Sequence, residues 1–173
     1  MILGVVSDTH NRIDNVEKII DIFNSNNVEK VIHTGDITQP RTLVRFKRLN
    51  CPLLGVYGNN DQEEQGLVEI AEENGFKFQE PPFSFEIENK KIAIFHEPDE
   101  IENFIKKNPS IDLIIHGHTH RFRNETVGGV KIINPGECAG IIKGKNSVGL
   151  LNLKDLSLER IFFKIYKLKK LHL

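Results

Sequence analysis

Cysteine is scarce in this 173-residue chain, which contains only Cys51 and Cys138. The two residues lie far apart and form no CxxC or CxxH pattern, so neither a disulfide framework nor a thiolate metal site is predicted. Both thiols are most simply explained as small buried hydrophobic residues. They also favour a reducing compartment, and we expect a cytoplasmic location.

An excess of either charge sign is also missing, because 23 lysine and arginine residues face 24 aspartate and glutamate residues. The formal net charge of -1 provides no basic field that would attract a polyanion. This balance argues against nucleic acid as a partner. A DNA nuclease is therefore the weakest of the enzyme hypotheses.

Long hydrophobic runs are absent too, since no stretch approaches the roughly 20 apolar residues of a membrane span. The N-terminal segment MILGVVSDTH has no basic region and too short an apolar run for a signal peptide. We therefore predict a protein without a membrane anchor. The basic tail at 166–173 is expected to be a solvated end, and the alternative is contact with acidic lipid or a partner protein.

Short apolar runs alternate with amphipathic segments in the first half of the chain. The run ILGVV at 2–6 is typical of a parallel strand buried on both faces. Apolar residues recur at helical spacing from Asp14 to Asn24, with Asn11 or Asp14 as the N-cap. Further strands and helices are predicted, in alternation, at 28–35, 40–50, 52–58 and 63–75. This order predicts a parallel sheet with right-handed crossovers.

The second half of the chain is rich in strands. We predict, in order, a hairpin of strands 83–88 and 91–96, a helix 99–107, a strand 111–117, and strands 122–127, 130–134, 147–153 and 157–166. Their alternation of apolar and polar residues suits antiparallel pairing with one buried face. The pattern as a whole predicts one α/β domain spanning 1–173, in which two sheets pack together with helices outside.

Side chains that can bind metals follow five of the predicted strands at their C-terminal ends. They occur in SDTH (7–10), GD (35–36), GNND (58–61), His96 and GHTH (117–120). Each group alone could be an ordinary turn or helix cap. Ligands of open α/β sheets bind outside the carboxyl ends of the strands, so the five groups should converge there. Their joint occurrence therefore favours one binding site.

The candidate ligands are carboxylates, one amide and imidazoles. They are Asp8, His10, Asp36, Asn59, His96, His118 and His120. Nitrogen and oxygen ligands without thiolate favour manganese, iron, zinc, nickel or cobalt, and we expect manganese first. The set is too large for one ion of four to six ligands and suits two divalent transition-metal ions with a shared ligand.

The motif order D-x-H, G-D, G-N-x-D, H and G-H-x-H resembles that of the calcineurin-like metallophosphoesterase superfamily. The likeness is carried by GVVSDTHNR (4–12), VIHTGDI (31–37), VYGNND (56–61), IIHGHTHR (114–121) and INPGE (133–137). Within that superfamily the chain is similar to the small single-domain phosphodiesterases of the YfcE type. The resemblance implies a four-layer α/β/β/α sandwich of two mixed sheets that acts on a small phosphodiester or nucleotide-like substrate.

The resemblance also divides the candidate ligands between two metal ions. The first ion would be bound by Asp8, His10, Asp36 and His120. The second would be bound by Asp36, Asn59, His96 and His118. A hydroxide bridging the ions would attack phosphorus, and Asn59 would lie near the phosphoryl oxygens.

Two positions depart from the pattern of the superfamily. Many members have a histidine after the asparagine of the G-N motif, which can protonate the leaving group, whereas this chain has Asn60. An amide cannot donate that proton as an acid, so we expect good leaving groups to be preferred over simple alkoxides. In addition, Glu97 follows His96 where many members have glycine.

Three further polar residues lie in or near the motifs. His116 and His33 lie inside apolar strand runs, and we predict packed or supporting roles for both. Glu137 follows INPG and could line a substrate pocket or belong to a turn.

The main alternative to an enzyme is a protein-interaction scaffold of the same fold with little or no catalysis. All of the ligand types are intact, which favours the enzyme. Exposed edge strands allow a homodimer without requiring one.

Overall fold

The computed structural model describes residues 1–62 and 64–164. Its strands are β1 (Ile2–Val6), β2 (Lys30–His33), β3 (Leu53–Val56), β4 (Lys77–Gln79), β5 (Phe83–Ile87), β6 (Lys90–Ile94), β7 (Leu113–Ile115), β8 (Arg123–Val127), β9 (Val130–Asn134), β10 (Ser147–Asn152) and β11 (Ser157–Phe162). Its helices are α1 (Ile13–Ser25), α2 (Pro40–Leu43), a 3-10 helix (Val44–Arg48), α3 (Leu67–Glu73) and α4 (Ile101–Lys107).

The strands form two sheets of mixed direction. The first has the order β11-β10-β1-β2-β3-β4, with parallel pairing from β1 to β4 and antiparallel pairing of β10 with β1 and β11. The second has the order β5-β6-β7-β9-β8, which is parallel in the middle and antiparallel at both edges. The parallel strands of each sheet direct their carboxyl ends to one edge, where loops can meet.

The two sheets lie between two outer layers of helices, and one apolar cluster fills each of the three spaces between the four layers. Residues Val5 and Ile32 of the first sheet pack between the sheets with Ile94 and Ile115 of the second, and all four are fully buried. Successive residues of a strand point to opposite faces. Val6 therefore contacts the helices on the outer face of the first sheet, and α4 covers the outer face of the second. The predicted α/β/β/α sandwich of two mixed sheets is confirmed.

Several element boundaries differ from the prediction. The predicted helix 40–50 is interrupted, because α2 continues as a 3-10 helix from Val44. The predicted helix 63–75 begins only at Leu67, after Gly66 with φ of 87°. Strand β4 was not predicted, since three residues at a sheet edge carry too short a pattern. Part of the predicted strand 157–166 and the tail 166–173 lie outside the described residues.

The predicted N-cap of α1 is wrong, because Arg12 occupies that position without a side-chain cap bond. Asn11 instead accepts hydrogen bonds from the hydroxyls of Thr38 and Thr42.

Cys51 and Cys138 are both free thiols, and Cys138 is buried. None of the helices in the described part of the chain combines the length and apolarity that a membrane crossing requires.

Leu113 provides a test of the packing between the sheets. Its side chain is fully buried in the cluster that separates them. We expect Leu113→Ala to lower the free energy of unfolding by about 2–5 kcal/mol, because the lost burial leaves a cavity. Val127→Ala, on an edge strand where the side chain is 47% exposed, should stay within about 0.5 kcal/mol of the parent. Denaturant unfolding in the presence of chelator measures both, and equal losses would contradict this packing.

Candidate metal centre

All seven predicted ligands lie at the edge where the carboxyl ends of the two sheets meet. Asp8, His10, Asp36 and Asn59 follow β1, β2 and β3 of the first sheet, and His96, His118 and His120 follow β6 and β7 of the second. Each sheet therefore contributes ligands to one shared site, as the order of strand ends predicted.

The first group of ligands contains two carboxylates and two imidazoles. Their ligand atoms, one from each of Asp8, His10, Asp36 and His120, all lie within 4.8 Å of one another. The His10 Nε2 atom is buried and has no hydrogen-bond partner in the described part of the chain. Burying a polar atom without a partner costs free energy. An ion at this position would satisfy that nitrogen, so the residues present fit a metal.

The second group surrounds the side-chain oxygen of Asn59. Asn59 Oδ1 is 2.9 Å from His96 Nε2 and 3.0 Å from His118 Nδ1, and the two nitrogens are 3.3 Å apart. Asp36 joins the two groups, because its Oδ1 is 3.4 Å from His96 Nε2 while its Oδ2 is 3.7 Å from His10 Nε2. One carboxylate therefore faces both sets of ligands.

A backbone contact fixes the orientation of His96. Its Nδ1 lies 2.8 Å from the carbonyl oxygen of Thr34, and a carbonyl can only accept a hydrogen bond. We therefore assign one proton to Nδ1, so that Nε2 faces Asp36 and Asn59. Nε2 can donate to these oxygens when it is protonated, and a cation bound there would take the place of that proton. Glu97, which stands where many members of the resembled superfamily have glycine, does not turn this ring away from the site.

Asp36 is held in its charged form. Burial alone would raise its pKa, but the His96 ring and Asn60 lower the pKa well below its ordinary value. Asn60 donates from its backbone N–H to Oδ1 at 3.0 Å and from its side-chain Nδ2 to Oδ2 at 2.8 Å. An anionic carboxylate with both oxygens oriented is suited to bind cations.

The pKa of Asp8, in contrast to that of Asp36, is raised. Its complete burial raises its pKa, although the Ser7 hydroxyl donates to Oδ2 at 2.5 Å and opposes the shift. The neighbouring carboxylate of Asp36 also raises the pKa of Asp8. A cation bound between the two carboxylates would relieve this repulsion and favour the charged form of both.

Five of the candidate ligands have unusual backbone conformations. Positive φ angles occur at Asp8 (52°), His10 (42°), Asp36 (58°), His118 (65°) and His120 (58°). Such angles are uncommon outside glycine and cluster at functional sites. The motif glycines permit close approach, because a Cβ on Gly35 would lie 2.6 Å from His96 Nδ1 and a Cβ on Gly58 would collide with Asp36.

Asp61 anchors the loops of the site, a role that its place in the G-N-x-D motif did not reveal. Its Oδ2 accepts the backbone N–H groups of Asp36 at 2.9 Å and Gly58 at 2.7 Å, and its Oδ1 accepts that of Thr38 at 2.7 Å. Asp61 is almost fully buried. Burial raises its pKa, and the three donors oppose that shift. The carboxylate thus fixes the loop after β2 to the loop after β3.

His33 has a packed supporting role, as predicted. Its Nδ1 accepts the Gly35 N–H at 3.1 Å, and its Nε2 then donates to Thr9 Oγ1 at 3.0 Å. Burial lowers the pKa of His33 to about 3, so the ring is neutral. His33 thereby connects the loops that carry Asp8 and Asp36.

His116 is likewise buried, and its Nδ1 lies 3.1 Å from the carbonyl oxygen of Gly117. Burial lowers the pKa of His116 to about 4, which agrees with a supporting role.

Glu137 is a turn residue, since its carboxylate accepts the backbone N–H groups of Ala139 at 2.7 Å and Ile142 at 2.9 Å. Glu97, in contrast, lines a cavity beside the site.

Comparison with known proteins identifies the superfamily of this chain. Residues 1–156 match the calcineurin-like phosphoesterase superfamily domain. The chain is 38% identical over 157 residues to phosphodiesterase MJ0936 of Methanocaldococcus jannaschii, which covers 88% of this chain and 93% of that protein.

Solved structures give a consistent result. An archaeal phosphodiesterase superposes with a TM-score of 0.85 at 35% identity, covering 94% of this chain and 100% of that one. The phosphoesterase YfcE of E. coli superposes with a TM-score of 0.68 at 20% identity, covering 93% of this chain and 98% of that one. The YfcE comparison supports the fold alone.

Replacing Asp61 by asparagine tests its role as an anchor. Both of its oxygens accept backbone N–H groups, so either orientation of the amide points an NH2 group at a donor. We expect Asp61→Asn to lower the free energy of unfolding by about 1–3 kcal/mol, since a buried donor loses its partner. Asp21→Asn, on the exposed face of α1, is the control and should have almost no effect. Denaturant unfolding measures the stability of both variants. If Asp61→Asn has the same free energy of unfolding as the parent, Asp61 does not anchor the loops.

Proposed function

Because the chain belongs to the calcineurin-like phosphoesterase superfamily and is similar to a phosphodiesterase over most of its length, we propose that it is a phosphodiesterase that uses two divalent transition-metal ions. The observation that carries the proposal is the position of Asp36. Its two carboxylate oxygens face separate groups of nitrogen and oxygen ligands. One domain spanning 1–173 would supply every ligand.

The ligands would divide as the motifs suggest. One ion would be held by Asp8, His10, Asp36 and His120, whose ligand atoms lie close enough together for a single ion. The other would be held by Asp36, Asn59, His96 and His118. When bound, the two ions supply Lewis acidity that makes a hydroxide available and stabilises charge on the phosphoryl oxygens. Manganese is our first choice, with nickel, iron, zinc or cobalt as alternatives.

The residues of the chain itself prepare the site for this chemistry. Asp36 stays ionised because Asn60 and His96 favour its charged form. His96 is oriented by the carbonyl of Thr34. The loops do not have to rearrange before they bind cations, since Asp61 already fixes them. A preorganised site of this kind avoids the cost of reorganisation during the reaction.

Asn60 determines which leaving groups the site can release. Its side-chain Nδ2 is engaged with Asp36 Oδ2 at 2.8 Å, and an amide does not act as a general acid. The leaving group would therefore depart as an anion or rely on a metal ion or water. We propose that the substrates are small phosphodiesters or nucleotide-like esters whose leaving groups are acidic alcohols, and that the protein acts in the cytoplasm.

Hydrolysis of bis-p-nitrophenyl phosphate with added Mn²⁺ or Ni²⁺ tests the activity. We expect the parent protein to be active and to lose activity in chelator. Asp36→Asn should reduce the rate roughly 100-fold or more, because even residues that only support metal ligands contribute 10–100-fold. Asp21→Asn on α1 is the matched control and should retain the parent rate. Equal rates in the parent and Asp36→Asn, or no activity in either, would favour a protein-interaction scaffold.

A series of aryl phosphodiesters with different leaving-group pKa values tests the role of Asn60. The parent rate should fall steeply as the leaving group becomes more basic. Asn60→His should flatten this dependence and raise the rate on the poorest leaving groups by about 100-fold, the lower range for a general acid. Asn60→Gln is the control, because it also changes the contact with Asp36 but supplies no acid. Parallel slopes for all three proteins would show that protonation at this position is not limiting.

A further inference from the structure

A small cavity opens directly beside the candidate metal centre. Its volume is about 220 Å3, and Asn59 and His96 form one side of it. The remaining walls come from the loop after β3, the Pro81-Pro82 segment before β5, and the loop after β6. A group attached to phosphorus at the metal centre could enter this cavity without any rearrangement of the strands.

The size of the cavity limits what it can hold. An engineered cavity of roughly 150 Å3 accommodates benzene, whereas sites for drug-sized ligands begin at roughly 300 Å3. A volume of about 220 Å3 therefore fits a single ring or a short branched chain. A complete nucleoside would extend out of it.

The charge of the lining is negative. Glu97, Asp99 and Glu100 all line the cavity on the side of the loop after β6. Of the described residues that line it, none is a lysine or an arginine. A carboxylate or phosphate on the substrate would meet three like charges there. A cation, or an uncharged group with hydrogen-bond donors, would meet acceptors.

Asn60 shows which ester group the cavity receives. In the mechanism proposed above the leaving group departs next to Asn60, and Asn60 is not among the residues that line the cavity. Building on the proposed phosphodiesterase activity, we infer that this cavity selects the ester group retained on phosphorus. It accepts a compact cationic or uncharged group and rejects an anionic one.

Three substrates with the same leaving group test this selectivity. Each is a p-nitrophenyl phosphodiester, and the second ester is choline, its uncharged isostere 3,3-dimethylbutyl, or 3-carboxypropyl. We expect kcat/KM to fall in that order, with roughly tenfold between choline and carboxypropyl, since two or three partly screened charges act at short range. The difference should appear mainly in KM and shrink as salt is added.

The double variant Glu97→Gln/Asp99→Asn should reduce the tenfold difference to about twofold. The control Glu86→Gln/Glu102→Gln removes the same net charge from positions outside the cavity and should preserve the order. If bis-p-nitrophenyl phosphate is hydrolysed but the three substrates are equivalent, or the control shifts the order as much as the cavity variant, the inference is wrong. If none of the substrates is hydrolysed under any metal, the proposed function itself fails.

Discussion

The site depends on keeping one carboxylate, that of Asp36, charged and fixed between two sheets. Asp36 follows a strand of the first sheet, yet its Oδ1 faces His96 from the second sheet at 3.4 Å. The Asp61 carboxylate accepts the backbone N–H of Asp36, and Asn60 donates hydrogen bonds to both carboxylate oxygens of Asp36. Because each ligand group contains residues from both sheets, a shift of one sheet against the other would break up both groups. The tight packing between the sheets is therefore a condition for the metal chemistry.

The loops at this edge are costly to form. Five candidate ligands have positive φ angles, and each such angle costs a non-glycine residue about 1–2 kcal/mol. Their sum is comparable to the whole net stability of a typical domain. The strands that precede these loops are fully buried, as at Val5, Ile32, Ile94 and Ile115. The buried strands offset the strain, so the rigid core and the strained edge depend on each other.

Much of the fold was predictable because it depends on local patterns. Apolar runs located most of the strands, and the residues after five of them met as expected. Contacts between distant segments were not visible in the same way. Asn11 was a reasonable N-cap by local chemistry, but Thr38 and Thr42 occupy its oxygen. Asp61 belonged to a recognised motif, yet its anchoring role requires the loop after β2 to lie beside it. Short elements such as β4 also lack a recognisable pattern.

In the proposed function, metal binding and substrate choice depend on different parts of the same loops. The candidate ligands Asn59 and His96 follow their strands closely, and the buried sheets fix their positions. Asn60 and Glu97 come one residue later, and these are the two positions that depart from the superfamily pattern. Loop side chains can change without moving the strands. The metal ligands can thus stay constant while, in our proposal, these neighbours restrict both ester groups. Asn60 would do so through a missing proton donor, and Glu97 through its negative charge.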